Sequence, residues 1–218
     1  MTASLRDHGD GAVAASPTAP ATRRVRRDPF TWAVLEDFFT RERTDALASS
    51  FPSQGFRPAG TSSKLFHVRS LVVDSQVVTS AGELSEAWQD LGQLIVSPAY
   101  RARLGSVVDR DLDGLRLDAS LCRYPPGCSL IPHTDREQRD TTHVVYLNRE
   151  WRREWGGMLR ILRSDDLEDV IEEVLPTLPT SVVMVRSDRS WHAVTPVASG
   201  VTAERLSLLV HASRPDVA

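Results

Sequence analysis

His133-Thr134-Asp135, a lone histidine at His192, and Arg205-Leu206-Ser207 are the residues of this chain whose types and spacing could do chemistry. Two histidines and one carboxylate can occupy one face of an iron and leave the opposite face open to ligands. His133 and Asp135 are two residues apart, so on a β-strand both side chains point to the same face of the sheet. His192 would have to come from a distant strand. Arg205 and Ser207 are again two apart and share a face. A guanidinium buried in a β-fold is costly unless paired, and a dicarboxylate cosubstrate such as a keto acid would supply bidentate compensation, with a serine hydroxyl adding a bond.

Each of these signals has a plainer reading. An H-x-D triplet is common by chance, a histidine among apolar residues is usually a satisfied core group, and an arginine on an edge strand is usually solvated. The triplet gains weight from its context: Pro125-Pro126-Gly127 is a turn signal, Ser129-Leu130-Ile131 begins a strand, and the triplet falls where that strand ends. The other histidines fit less well. His8 is in the N-terminal tail, His67 in an early strand, and His211 past the midpoint of the arginine strand. Strict alternation places Thr142, Val144 and Tyr146 on one face and His143 on the other.

The elements that must position these groups are legible as two regions. From Leu115 onward, short β-runs separated by Gly, Pro and Asp cover roughly 115–124, 129–135, 141–148, 157–163, 170–175, 180–186, 190–197 and 204–212. Such a series suggests a closed or double-sheet β-fold, for which the jelly roll, or double-stranded β-helix, is a common solution. Before it, Trp32-Ala33-Val34-Leu35 reads as a strand, Thr40 to Ser50 as a short helix, and Leu65 to Val73 as β-rich. Ser80 and Glu83 have the form of a capping box ahead of Leu84, Trp88, Leu91 and Ile95 at helical spacing. Ser97-Pro98 reads as a fresh N-cap with proline at the first helical position, starting a helix through about Val108. The expected architecture is mostly β with supporting α: a jelly-roll core over about 115–213, with N-terminal helices from about 40–110 packed on one sheet.

Residues 1–28 carry no periodicity and are read as a disordered leader, leaving 29–218 as a single domain. The Arg23-Arg24-Val25-Arg26-Arg27 run is taken as a solvated segment, because nothing else in the chain is basic enough to join it in binding nucleic acid. A net charge of −3 offers no general attraction to nucleic acid or anionic membrane, and 41% hydrophobic with 25% charged residues is ordinary for a soluble globular protein. The sequence contains no signal-peptide h-region and no apolar stretch long enough for a membrane span, so a cytoplasmic location is expected and Cys122 and Cys128 are read as free thiols.

The segment from Leu121 to about His211 resembles the prolyl 4-hydroxylase type of Fe(II)/2-oxoglutarate-dependent dioxygenase. The resemblance rests on Tyr124-Pro125-Pro126-Gly127, His133-Thr134-Asp135, Val145-Tyr146-Leu147-Asn148, Trp155-Gly156-Gly157-Met158-Leu159, Ser187-Asp188-Arg189, His192-Ala193-Val194 and Arg205-Leu206-Ser207, in the family's order. It implies that His133, Asp135 and His192 bind Fe(II) and that Arg205 pairs with the C5 carboxylate of 2-oxoglutarate. Tyr146 matches a position whose phenol bonds the same carboxylate; Tyr124 matches an aromatic of the cofactor pocket, and Leu159 a pocket wall. For both tyrosines the alternative is half-buried strand packing. The resemblance further implies O2 as oxidant, ascorbate as a candidate reductant, and release of succinate and CO2. Related halogenases carry a small residue where this chain keeps Asp135, which favours oxygen insertion. Cys122 and Ser120 would share the face of Tyr124 and are candidate pocket residues. The expected substrate is a small amino-acid-like or natural-product molecule, with hydroxylation of a prolyl residue in a peptide or protein as the alternative. A cupin-like metal-binding module without oxygenase activity is the reading from another class; it would not need Arg205, Ser207 and Tyr146 to converge.

Overall fold

The structure, a computed structural model, describes residues 22–60 and 66–215. In chain order the elements are β1 (Thr22–Arg26), β2 (Trp32–Glu36), α1 (Arg41–Ser49), β3 (Arg57–Ala59), β4 (Phe66–Val73), β5 (Gln76–Val77), α2 (Glu86–Val96) and α3 (Pro98–Val108). They continue as β6 (Arg116–Tyr124), β7 (Leu130–His133), β8 (Arg139–Tyr146), β9 (Leu159–Leu162), β10 (Val170–Val174), β11 (Thr180–Val185), β12 (His192–Val194) and β13 (Arg205–Ser213). A nine-stranded sheet has the order β1-β2-β11-β8-β13-β6-β4-β3, with β5 paired to β4; a four-stranded sheet has the order β10-β9-β12-β7. Two facing antiparallel sheets with helices outside one of them form the expected double-stranded β-helix with its N-terminal helical support.

Strict alternation along the strands of the large sheet builds two apolar layers. Leu117, Ala119 and Leu121 of β6 and Leu208, Val210 and Ala212 of β13 face the helices, where Trp88, Leu91 and Ile95 of α2 and Tyr100 and Leu104 of α3 cover them. Their neighbours in register, among them Cys122, Tyr124, Val144 and Tyr146, face the small sheet and pack with Leu159, Ile161 and Val194. Two of the helices, α1 and α3, begin where a side chain satisfies one of their first free N–H groups. Thr40 caps α1 by accepting from the Arg43 N–H, and Ser97 caps α3 by accepting from the Tyr100 N–H, with Pro98 at its first turn.

Two expectations change, and a third group, His143, takes the face that alternation assigns it. Ser80 and Glu83 do not form a capping box: Thr79–Glu83 is a 3-10 turn, and α2 starts at Glu86 after Ser85. The reason is the buried Arg69, which donates to the carbonyls of Gln54 and Ser80 and to the Glu83 carboxylate, so that segment serves a guanidinium instead of a helix end. Arg23 to Arg26 of the arginine run lie in β1, paired along its whole length with β2; residues 1–21 of the expected leader, with His8, lie outside the described residues. Arginines on an end strand discourage further edge pairing, which gives the run a structural use. His143 is fully buried: it lies on the helix-facing side of β8, edge-on to Phe38 and 2.9 Å from the Tyr100 hydroxyl through Nδ1.

Candidate metal centre and cosubstrate pocket

β7 and β12 are antiparallel neighbours in the small sheet, and their register sets His133 directly opposite His192. The two imidazole centroids lie 4.2 Å apart. Asp135 follows two residues after the end of β7, and one ligand atom from each of His133, Asp135 and His192 falls within 4.8 Å of the other two. Each histidine places Nδ1 2.9 Å from a backbone carbonyl, that of Ile131 for His133 and that of Ser190 for His192. A carbonyl oxygen can only accept, so Nδ1 carries the proton in both rings and Nε2 keeps its lone pair for a metal. Burial, reinforced by the neighbouring His133 and opposed by Asp135, lowers the pKa of His192 to about 4, so its ring is neutral at pH 7, the state a metal ligand requires.

Asp135 is the most supported member of the three. Its Oδ1 accepts from the Arg139 guanidinium at 2.6 Å, and its Oδ2 accepts from the Thr142 hydroxyl at 2.6 Å. Burial alone would raise the carboxyl pKa, but His192, His211, Arg139 and the Thr142 hydroxyl together outweigh it and hold the group ionised, well below the usual carboxylate range. The Thr142 oxygen also lies 3.0 Å from His211 Nδ1. Its single hydrogen goes to the carboxylate, so His211 is the donor in the second bond, and the chain runs from His211 through Thr142 to Asp135. In the sequence His211 lies past the midpoint of the arginine strand and does not stand out as a site residue. The two-residue period of β13 was the available signal, since Arg205, Ser207, Leu209 and His211 all lie on one face.

A cavity of about 330 Å³ lies between the sheets, bounded by the three candidate ligands and by Tyr124, Leu159, Met184, Arg205, Ser207 and Leu209. Strand register explains the convergence: Arg205 is opposite Tyr124 on β6, and Ser207 lies between Cys122 on β6 and Tyr146 on β8. Arg205 is 2% exposed, donates through Nε to the Gly157 carbonyl at 2.8 Å and through Nη1 to Ser207 Oγ at 3.2 Å. Its guanidinium carbon stands 4.9 Å from the Tyr124 ring centroid and 5.2 Å from that of Tyr146. Among the described residues no carboxylate pairs with it. A buried cation held by neutral groups alone, with N–H groups to spare, fits an anionic ligand.

The Tyr146 hydroxyl is fully buried beside this guanidinium and makes no hydrogen bond of normal geometry. Burial pushes its pKa up to about 12, against the opposing pull of Arg205, so the phenol is protonated and can donate. Tyr146 lies behind the cavity wall rather than on it; Tyr124 and Leu159 are on the wall, with Phe66 stacked on Tyr124 at 4.6 Å between centroids. Cys122 faces the same layer but is packed beneath the wall, its thiol pushed up to about 12 by burial against Arg205, and is no reactive thiolate. Both cysteines are free thiols. Gly156 and Gly157, at φ of 66° and 67°, carry β9 past the loop that precedes β13. A Cβ at Gly156 would lie 2.0 Å from the Pro196 carbonyl oxygen, so this close passage, which presents the Gly157 carbonyl to Arg205, admits only glycine there.

Residues 119–211 match the sequence profile of the 2OG-Fe(II) oxygenase superfamily, a span that contains the three candidate ligands and Arg205. No curated protein sequence matches the chain. Among solved structures, a Pseudomonas putida prolyl-4-hydroxylase superposes with a TM-score of 0.61 at 23% identity, over 84% of this chain and 92% of that one. A Trichoplax adhaerens prolyl hydroxylase in complex with a hypoxia inducible factor oxygen degradation domain peptide fragment gives 0.58 at 14% identity, over 84% and 83%. The non-heme α-ketoglutarate-dependent epimerase SnoN from nogalamycin biosynthesis gives 0.53 at 15% identity, over 84% and 80%. At these identities the superpositions establish a shared fold. Among the described residues no helix is long and apolar enough to cross a membrane.

Proposed function

We propose that this chain, whose residues 119–211 match the profile of the 2OG-Fe(II) oxygenase superfamily, is such an oxygenase and hydroxylates an unactivated C–H bond of a peptide segment, with a prolyl residue as the first candidate target. The observation that carries the oxygenase reading is the adjacency of two sites: three ligand atoms within 4.8 Å of one another, and a buried Arg205 with no counterion among the described residues in the same cavity. A cupin-like binding module accounts for the first site and leaves the second unexplained. Asp135 supplies the carboxylate that a halogenating site would lack.

In this reading His133 and His192 would hold iron through Nε2 and Asp135 through its carboxylate. Iron held there, together with 2-oxoglutarate and O2, would supply the oxidising chemistry, which would give hydroxylated substrate, succinate and CO2. Ascorbate would serve only to keep the iron reduced. Arg205 would pair with the C5 carboxylate of 2-oxoglutarate, while the hydroxyls of Ser207 and Tyr146 complete its hydrogen bonds. Tyr124 and Leu159 would flank the cosubstrate chain and exclude water from it. The protein's contribution is orientation: the carbonyls of Ile131 and Ser190 fix the two rings, and Arg139 and Thr142 fix the carboxylate.

A peptide substrate is favoured over a small amino-acid-like or natural-product molecule by the superposed prolyl hydroxylases, one of them holding a peptide fragment. SnoN is the observation on the other side. The test is incubation with Fe(II), 2-oxoglutarate, ascorbate and proline-containing peptides. Succinate formed in step with a one-oxygen mass gain on the peptide, absent in Asp135→Ala, is the expected result. Succinate that rises with free amino acids and never with peptides would overturn the peptide assignment.

A further inference from the structure

The cavity at the metal centre opens sideways into a groove of about 780 Å³, and the two share Phe66, Arg136, Arg139, Leu209 and His211. The groove exists because the sheets differ in width: four strands cover only part of the face that the nine-stranded sheet offers. The same alternate positions of β13 that carry Arg205 and Ser207 continue into the groove as Leu209, His211 and Ser213. On β6 the row of Tyr124 continues as Ser120, Asp118 and Arg116.

The charge of this floor is opposite to that of the molecule. The chain has 29 acidic and 26 basic residues, yet the groove is lined by Arg57, Arg116, Arg136 and Arg139 against Asp118 alone. Arg116 pairs with Asp74 and Asp118, and Arg139 with Asp135. Arg57 and Arg136, both exposed, form no ion pair with any described residue. Single exposed arginines are ordinarily just solvated, but these two stand on opposite banks. Arg57 is on β3, the end strand, and Arg136 precedes β8, four strand steps away through β4, β6 and β13. At about 4.8 Å per step this is about 19 Å across the sheet, and the register sets Arg57 level with Tyr146, at the far end of β8 from Arg136, which adds about 23 Å along the strands; about nine residues of extended chain at about 3.3 Å each would join the two arginines.

We propose that this groove binds an extended acidic peptide, with one carboxylate side chain beside the target residue at Arg136 and a second near Arg57. The inference rests on the hydroxylase reading for the placement of the target residue, and on charge and breadth for the rest.

The test is fluorescence anisotropy with three labelled proline-centred peptides of equal length, flanked by Glu, Gln or Lys, on the Mn(II)-loaded protein with 2-oxoglutarate. The Glu peptide should bind about tenfold tighter than the Gln peptide, the sum expected of two partly exposed ion pairs, and the Lys peptide weakest. Added salt should erase the difference. Arg57→Gln and Arg136→Gln should each remove part of the preference, and Arg57→Gln should leave 2-oxoglutarate affinity as it was. Equal binding of the Glu and Lys peptides, or a Glu preference intact in both variants, would overturn the proposal. Because binding is read without turnover, a charge preference with no 2-oxoglutarate consumption would retain the acidic groove and reject the hydroxylase reading instead.

Discussion

Thr142→Val is the substitution that best isolates how the carboxylate of the metal centre is held. It keeps the β-branched shape on β8 and removes one oxygen. That oxygen donates to Asp135 Oδ2 at 2.6 Å and accepts from His211 Nδ1 at 3.0 Å. The first bond ends on an ionised, buried carboxylate and is worth about 1.5–3 kcal/mol. The second is worth less, because His211 is only half-buried and can turn toward water. Arg139 still grips Oδ1, so the carboxylate remains but is free to swing about that contact. Partners of this kind set metal affinity by about 10–100-fold, or about 1.4–2.8 kcal/mol, consistent with the loss of the first bond alone. Competition of Mn(II) or Co(II) against a chelating dye measures the affinity, with circular dichroism melts to establish that the variant is folded. Thr142→Ser, which restores the oxygen, should recover most of the loss. Wild-type metal affinity in a folded Thr142→Val, or a serine variant as weak as the valine one, would refute the argument.

Other consequences follow from the same structure. Arg205→Ala should weaken 2-oxoglutarate binding by about 2–5 kcal/mol, the usual loss on truncating one side of a buried charge pair, while metal affinity measured without cosubstrate stays near wild type. Gly156→Ala should lower the melting temperature by several degrees or prevent folding, since φ 66° with ψ −147° is open essentially to glycine alone and the new methyl meets the Pro196 carbonyl; an unchanged melt would contradict this. His143 titrates at about 3 in the folded protein, lowered by burial and by Arg103, against about 6.5 unfolded. Between those values the unfolded chain binds the extra proton, so stability is full above about pH 6.5 and falls by up to about 1.4 kcal/mol per pH unit as pH drops toward 3. His143→Gln should flatten that part of the denaturation profile, and an identical pH slope in the two proteins would remove His143 as a cause.

What could be read in advance, and what could not, divides along physical lines. The strands after Leu115 carry alternation and turn residues at close intervals, and all eight of the expected runs contain a strand in the structure. The pairing of His133 with His192 across β7 and β12 is a matter of register, which no local pattern reports; only the chemistry of an incomplete ligand set suggested the partner. β3 has three residues and β5 two, too short for any period to show. Ser80 and Glu83 had the right local chemistry for a helix cap, and a buried guanidinium distant in sequence claimed both. The same limit hid Thr142 and Arg139, whose importance lies in what they touch, although the alternation that placed Thr142 on the face of Tyr146 was already visible.

The most direct test of the central claim is anaerobic addition of Fe(II) and then 2-oxoglutarate to the purified protein, followed in the visible region, with Asp135→Ala alongside. A weak metal-to-ligand charge-transfer band should appear only when both are present and be lost or strongly weakened in the variant. No band in the parent protein, with tight binding of some other metal, would contradict that claim and return the fold to a metal-binding module without oxygenase chemistry.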